Sequence, residues 1–76
     1  MYYNRLPWNK RVKKERQNRF WTQEELAEKL GTDPRTVRRW ECGKGKPRYL
    51  HIRGLSKLFG KTPEQLGFTD IEDDNT

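Results

Sequence analysis

Three arginines of the chain, Arg35, Arg38 and Arg39, have the spacing of neighbours on one face of a helix. A guanidinium offers two parallel N–H donors that match the O6 and N7 acceptors of guanine, and one such contact discriminates between bases by ~1–3 kcal/mol. The same group also binds phosphate. These arginines are therefore candidate contacts to nucleic-acid bases. The plainer interpretation is that they only make an exposed helix face polar and well hydrated.

The distribution of charge favours a polyanionic partner. The chain has 76 residues, with 17 Lys and Arg against 11 Asp and Glu, and a net charge of +6. Residues 1–61 contain all 17 basic residues and six acidic ones and so carry +11, whereas residues 62–76 carry −5. A basic body attracts a polyanion by counterion release and long-range steering. Charge alone leaves DNA, RNA and acidic membranes open.

Other chemistry finds little support in the sequence. Cys42 and His51 are the only residues of their types, so we expect no disulfide, no zinc site and no thiolate nucleophile. Residues 43–46 are too short for a phosphate-binding P-loop. No apolar run approaches the ~20 residues that cross a bilayer, and no signal-peptide pattern is present. We therefore expect a cytoplasmic protein that is not an enzyme, with no cofactor, metal, membrane association or evident small-molecule ligand.

Two short helices separated by a three-residue turn are expected to position the arginines. Thr22 and Glu25 have the capping-box spacing at the start of the first of these helices, and Gly31 supplies its stop signal. Asp33, followed by proline, predicts the start of the second, which covers about residues 34–42. Two short helices joined by a three-residue, glycine-containing turn are typical of the helix-turn-helix unit.

Three further helices complete the predicted fold. Asn9 is expected to cap a first helix over residues 10–18, a fourth helix is expected over residues 49–59, and residues 62–65 have the cap, N1 proline and capping-box Gln of a short fifth helix. No strand pattern competes, so the predicted fold class is all-α, a compact five-helix domain. We expect an N-terminal arm at residues 1–8, the domain at residues 9–68 and an acidic tail or start of a linker at residues 69–76.

The aromatic residues have two interpretations. Rings between basic residues can stack on single-stranded bases, but core packing is the better explanation for Trp40 and for Trp21, which falls at the junction of the first two helices. Trp8 belongs either to an arm or to the end of the core. On the fourth helix, either Leu50 or Ile52 is expected to lie on the apolar face that packs into the core.

Residues 22–31 (TQEELAEKLG) and residues 36–44 (TVRRWECGK) resemble the Cro/C1-type (XRE) helix-turn-helix family, which includes lambdoid phage repressors. The similarity covers roughly residues 6–68. It implies a lambda repressor-like DNA-binding fold with the helix-turn-helix at helices two and three and with the third helix in the major groove. The implied function is sequence-specific binding of double-stranded DNA, as the DNA-binding domain of a bacterial or phage transcriptional regulator.

The resemblance also implies roles for individual residues. The positions that match Arg35 and Arg39 typically meet base edges, whereas Arg38 is equally placed to reach a phosphate. Gln23 matches a position that holds a phosphate beside the N-terminus of helix two, although it is also interpretable as a plain polar residue. The other candidates for phosphate contact are Thr36, Lys44, Lys46 and Arg48. For the loop lysines, generic surface charge is nearly as good an explanation.

The matching family members also pair Arg16 with Glu41 between helices one and three. We expect the same partly buried ion pair here, with the structural role of orienting the recognition helix. Phe20 departs from the family pattern, which has glycine after the first helix, and a left-handed conformation would strain a bulky residue. The end of helix one is therefore expected to differ, and Pro34 is expected to shift the start of the recognition helix.

Two other classes of function remain open. The helix-turn-helix unit and its basic charge also suit protein–protein interaction with an acidic partner, or RNA binding through the same basic face. The acidic tail suggests the N-terminal piece of a longer protein, which leaves a homodimer through regions outside this chain possible. Replacing Arg39 by Ala separates the alternatives, because only readout of DNA bases predicts a relaxed base preference.

Overall fold

Four helices form the protein in the computed structural model, which describes residues 6–68. They are α1 (Trp8–Asn18), α2 (Gln23–Leu30), α3 (Pro34–Glu41) and α4 (Tyr49–Phe59). No residue between 6 and 68 lies in a strand, so the all-α class is confirmed. Most of the expected arm and the whole acidic tail lie outside the described residues.

The predicted fifth helix is wrong, because the chain makes a single turn there. Thr62 and Gln65 do form a capping box, with the Thr62 N–H 2.8 Å from Gln65 Oε1 and the Gln65 N–H 3.2 Å from Thr62 Oγ1. Gly67 then takes a φ of +92°, and the Phe68 N–H donates back to the Pro63 carbonyl at 2.9 Å. The turn thus closes before a helix can propagate. Arg11 of α1 holds it by donating to the Gln65 carbonyl at 3.1 Å.

Helix α1 begins two residues earlier than predicted, with Pro7 rather than Asn9 as its N-cap residue. The Asn9 side chain makes an interhelical contact instead, since its Nδ2 donates to the Glu41 carbonyl at 3.3 Å. The Trp8 ring stacks on Phe68 with 5.6 Å between centroids, so it covers the end of the core.

The caps of α2 and α3 are those that the sequence predicts. The Thr22 hydroxyl accepts from the Glu25 N–H, the Glu25 carboxylate accepts from the Thr22 N–H, and Gly31 ends α2 in the left-handed conformation. Asp33 caps α3 by accepting from the Arg35 N–H at 2.7 Å, with Pro34 as the first helical residue. A side-chain cap contributes about 1 kcal/mol, so these short helices have well-defined starts.

The core lies where the four helices and the last turn meet. Its buried apolar side chains are Val12, Leu26, Ala27, Val37, Trp40, Ile52, Leu55, Phe59, Leu66 and Phe68. Ile52 rather than Leu50 faces inward, since Leu50 is 69% exposed. Helices α2 and α4 pack closely at Gly54, where a Cβ atom would lie 3.1 Å from Leu30 Cδ2.

Phe20 takes the left-handed conformation that glycine would favour, with a φ of +61°. The N–H of the next residue, Trp21, donates to the Arg16 carbonyl at 3.2 Å. This is the hydrogen bond that commonly closes a helix ending in glycine. The Phe20 side chain is 93% exposed. Phe20 thus takes the backbone conformation that the family's glycine would favour and places its ring in solvent.

Candidate nucleic-acid interface

Helix α3 separates an apolar face from a basic face. Val37 and Trp40 are buried on one side, with 0% and 4% exposure. Arg35, Arg38 and Arg39 are all exposed on the other. Because α1 and α2 pack against α3 and Val37 and Trp40 are buried, the side of α3 that faces solvent is the one that carries the arginines.

The loop after α3 continues the basic surface. Gly43 takes a φ of +74°, and the Lys44 N–H donates to the Arg39 carbonyl at 2.9 Å, which turns the chain sharply at the end of the helix. A Cβ atom on Gly45 would lie 3.8 Å from Arg39 Nη2, so this loop passes beside the Arg39 guanidinium. The exposed basic side chains of α3 and the loop are Arg35, Arg38, Arg39, Lys44, Lys46 and Arg48, which we call the basic surface.

The one acid between residues 34 and 48 is buried beneath this surface. Glu41 receives two hydrogen bonds from Arg16 of α1, Nε to Oε2 at 2.7 Å and Nη2 to Oε1 at 3.0 Å. The side chains of Arg16 and Glu41 are 11% and 3% exposed. Arg16 Nη1 also donates to the Trp21 carbonyl at 2.7 Å. A bidentate pair of this kind is directional, so it fixes α3 relative to α1 and to the start of α2.

Residues 12–66 match the model of the helix-turn-helix family, and this match covers most of the chain. The chain belongs to the XRE-type helix-turn-helix family. In this helix-turn-helix domain, α2 and α3 are the two helices of the motif and residues 31–33 are its turn.

A curated relative of the domain is the HTH-type transcriptional activator BcrR of Enterococcus faecalis, which is 33% identical over 61 residues. The aligned segment covers 80% of this chain but 30% of the relative. The helix-turn-helix chain thus corresponds to less than a third of that activator's length.

The other residues predicted to contact phosphate fall in two settings in this helix-turn-helix domain. Thr36 is half-buried on α3, and Gln23 is half-buried at the start of α2. The Gln23 amide is already engaged, since its Nε2 donates to Glu41 Oε1 at 3.1 Å and its Oε1 accepts from Arg38 Nε at 3.5 Å. Sequence reasoning did not predict these contacts, because they join helices whose relative placement only the fold determines.

A second buried acid also escaped the sequence prediction. The Glu15 side chain of α1 is 4% exposed and pairs with Arg19 at 2.8 Å and with Lys61 at 3.7 Å. Arg19 Nη2 also donates to the Phe59 carbonyl at 3.0 Å at the end of α4. The spacing of Glu15 and Arg19, one helical turn apart, is the signal that could have found the pair.

The described part of the helix-turn-helix chain offers no metal centre, since residues 6–68 contain no group of three or more His, Cys, Asp and Glu side chains placed to hold one ion. Cys42 is exposed, and the His51 ring lies 5.1 Å from that of Trp40. Within the same range, no helix has the length and apolar character that crossing a membrane requires.

Proposed function

We propose that this chain is a sequence-specific, double-stranded DNA-binding domain of a transcriptional regulator and that α3 enters the major groove. The observation that carries the proposal is the basic surface, in which the accessible side of α3 presents three arginines and the one acid between residues 34 and 48 is paired with Arg16. Membership of the helix-turn-helix family and the likeness to a transcriptional activator support it.

The basic surface divides into residues that read bases and residues that hold the backbone. We assign Arg35, Arg38 and Arg39 to base edges, because they project from the helix that fits the groove. Contacts to phosphate fix the register and add affinity without reading sequence. We assign this role to Gln23, Thr36, Lys44, Lys46 and Arg48.

The test is selection of tight binders from a random pool of duplex DNA at two salt concentrations. The proposal predicts a short, reproducible motif that persists at the higher salt. Enrichment of no motif, with binding that collapses as salt rises, would indicate only nonspecific attraction to the basic surface. Absence of binding even at low salt would contradict DNA binding and favour a protein or RNA partner.

Two alanine substitutions then test the assignment of base contacts. Replacing Arg39 by Ala is expected to relax the preference at one or two base pairs of the selected motif, at a cost of ~1–3 kcal/mol for the preferred base. Lys57→Ala is the matched control, because Lys57 carries the same charge but lies on α4 beside Leu30 of α2. The control is expected to leave every base preference unchanged.

A homodimer that forms through regions outside this chain would bring two copies of the domain together on DNA. A single α3 reads only a few base pairs, so a dimer would double the length of the site. In that case, the selected half-sites repeat about 10–10.5 base pairs apart, or at a multiple of that spacing. The spacing of motifs among the selected sequences distinguishes paired half-sites from single ones.

A further inference from the structure

The side-chain amide of Gln23 lies between the buried acid of α3 and an exposed arginine of the same helix. Glu41 Oε1 accepts from Arg16 Nη2 at 3.0 Å and from Gln23 Nε2 at 3.1 Å. Gln23 Oε1 in turn accepts from Arg38 Nε at 3.5 Å. Four side chains from three helices are thus joined in one line that leads from the interior to the basic surface.

The middle of the line requires a group that both donates and accepts hydrogen bonds. A carboxylate only accepts hydrogen bonds and a guanidinium only donates them, whereas an amide does both. Glu41 therefore fixes which end of the Gln23 amide faces inward, and the carbonyl end is left facing Arg38. The exposed fraction increases along the line, from 3% for the Glu41 side chain to the half-buried Gln23 and the exposed Arg38.

Arg38 differs in this respect from the other two arginines of α3. Among residues 6–68, no hydrogen bond reaches the guanidinium of Arg35 or of Arg39, whereas that of Arg38 donates through Nε to Gln23 Oε1 at 3.5 Å. A free arginine side chain must give up rotamer freedom when it binds. Base discrimination depends on a fixed direction of the two N–H donors, while neutralisation of a phosphate does not.

We propose that Gln23 is a positioning residue that orients Arg38 for base readout, with the Arg16–Glu41 pair as its fixed support. This proposal rests on the proposed function, and it assigns to Arg38 the reading of a base rather than the holding of a phosphate. Gln23 thus contributes to the base preference at the position that Arg38 reads, in addition to any contact that its own N–H groups make with DNA.

The experiment compares Gln23→Met with Arg38→Ala on the DNA motif selected with the unaltered chain. Methionine matches the length of glutamine but removes both hydrogen bonds, and Gln17→Met, at an exposed position of α1, is the control. Dissociation constants are measured for all four bases at each position. Arg38→Ala is expected to relax one position by roughly 5- to 100-fold. Gln23→Met is expected to relax the same position by about fivefold.

The double variant and the salt dependence separate positioning from phosphate contact. Adding Gln23→Met to Arg38→Ala is expected to cause no further relaxation at that position, because the two residues act in series. A uniform loss of affinity over all sequences, with a salt slope reduced by about one, would make Gln23 a phosphate contact only and overturn the proposal. Relaxation at every position, or no base dependence on Arg38, would also overturn it.

A measurement on the free protein keeps the inference independent of DNA binding. The Arg38 Nε–H is expected to exchange with solvent several-fold more slowly than those of Arg35 and Arg39 in NMR spectra, and Gln23→Met is expected to abolish the difference. Equal exchange for the three arginines would contradict the inference. Slow exchange at Arg38 in a chain that selects no DNA motif would instead contradict the proposed function and leave the positioning intact.

Discussion

Glu15 and Arg16 are consecutive residues of α1, yet each belongs to a different ion-pair cluster. Arg16 joins Glu41 in what we call the α3 pair, and Glu15 joins Arg19 and Lys61 in what we call the α4 cluster. In the α3 pair the Glu41 side chain is buried at 3% exposure, and the Arg16 side chain is largely covered at 11%. In the α4 cluster the acid is buried but its cations are 29% and 36% exposed.

This difference in burial determines how much stability the domain loses when one charge of each cluster is removed. Removal of one charge from the α3 pair leaves the other charge without a partner and out of water, which is costly. The cations of the α4 cluster regain water at little cost when their partner is lost. Only the α3 pair contacts Gln23, and through it Arg38, so only this cluster supports the basic surface.

The largest expected effect is that of Glu41→Gln, which removes the charge and keeps the shape of the side chain. We expect the free energy of unfolding to fall by about 3 kcal/mol, because the largely covered Arg16 loses its compensating charge. Denaturant titration measures the change, and Glu28→Gln, at an exposed position of α2, is the control. An unchanged denaturation midpoint would show that the α3 pair has no structural role.

Glu15→Gln is expected to have a smaller effect, a loss of about 1 kcal/mol, since Arg19 keeps its hydrogen bond to the Phe59 carbonyl and part of its hydration. The affinity of the folded variant for the selected DNA motif is expected to equal that of the unaltered chain. A destabilisation equal to that of Glu41→Gln, or an altered base preference, would remove the distinction between the two clusters.

Local signals account for much of what could be predicted from the sequence. The starts of α2 and α3 follow from the hydrogen-bonding capacity of Thr22 and Asp33, and the end of α2 follows from the conformational freedom of Gly31. The same kind of signal failed at residues 62–65. A capping box indicates where a helix starts and not how far it extends, and Gly67 ends that turn at once.

Contacts between helices were less predictable. Arg16 and Glu41 were expected to pair only because family members pair at these positions, since the two residues are 25 apart in the chain. The contact of Gln23 with Glu41 depends on how α2 meets α3, and no spacing reveals it. The burial of Glu15 depends on where the end of α4 and Lys61 pack against α1, which is a property of the complete fold.

Phe20 lies between Arg19, which belongs to the α4 cluster, and Trp21, whose carbonyl accepts from Arg16 of the α3 pair. A substitution at Phe20 is therefore expected to affect both clusters alike. Phe20→Gly is expected to stabilise the domain by about 1 kcal/mol, because glycine adopts a φ of +61° without strain. Phe20→Ala, which keeps the strain, is the control for loss of the ring. The gain is expected to be equal in Glu15→Gln and Glu41→Gln backgrounds, and unequal gains would show that the end of α1 serves one cluster alone.

The smallest effect is expected for Lys61→Ala, which tests how the α4 cluster divides its charge. The Lys61 ammonium lies 3.7 Å from Glu15 and is 36% exposed, whereas Arg19 approaches the same carboxylate to 2.8 Å. We therefore expect a loss below about 0.5 kcal/mol in denaturant titration, which vanishes at high salt because solvent screens the pair. A larger, salt-independent loss would mean that Lys61 compensates the buried acid as fully as Arg16 compensates Glu41. The two clusters would then differ in position alone, and exposure of the cations would not explain their energies.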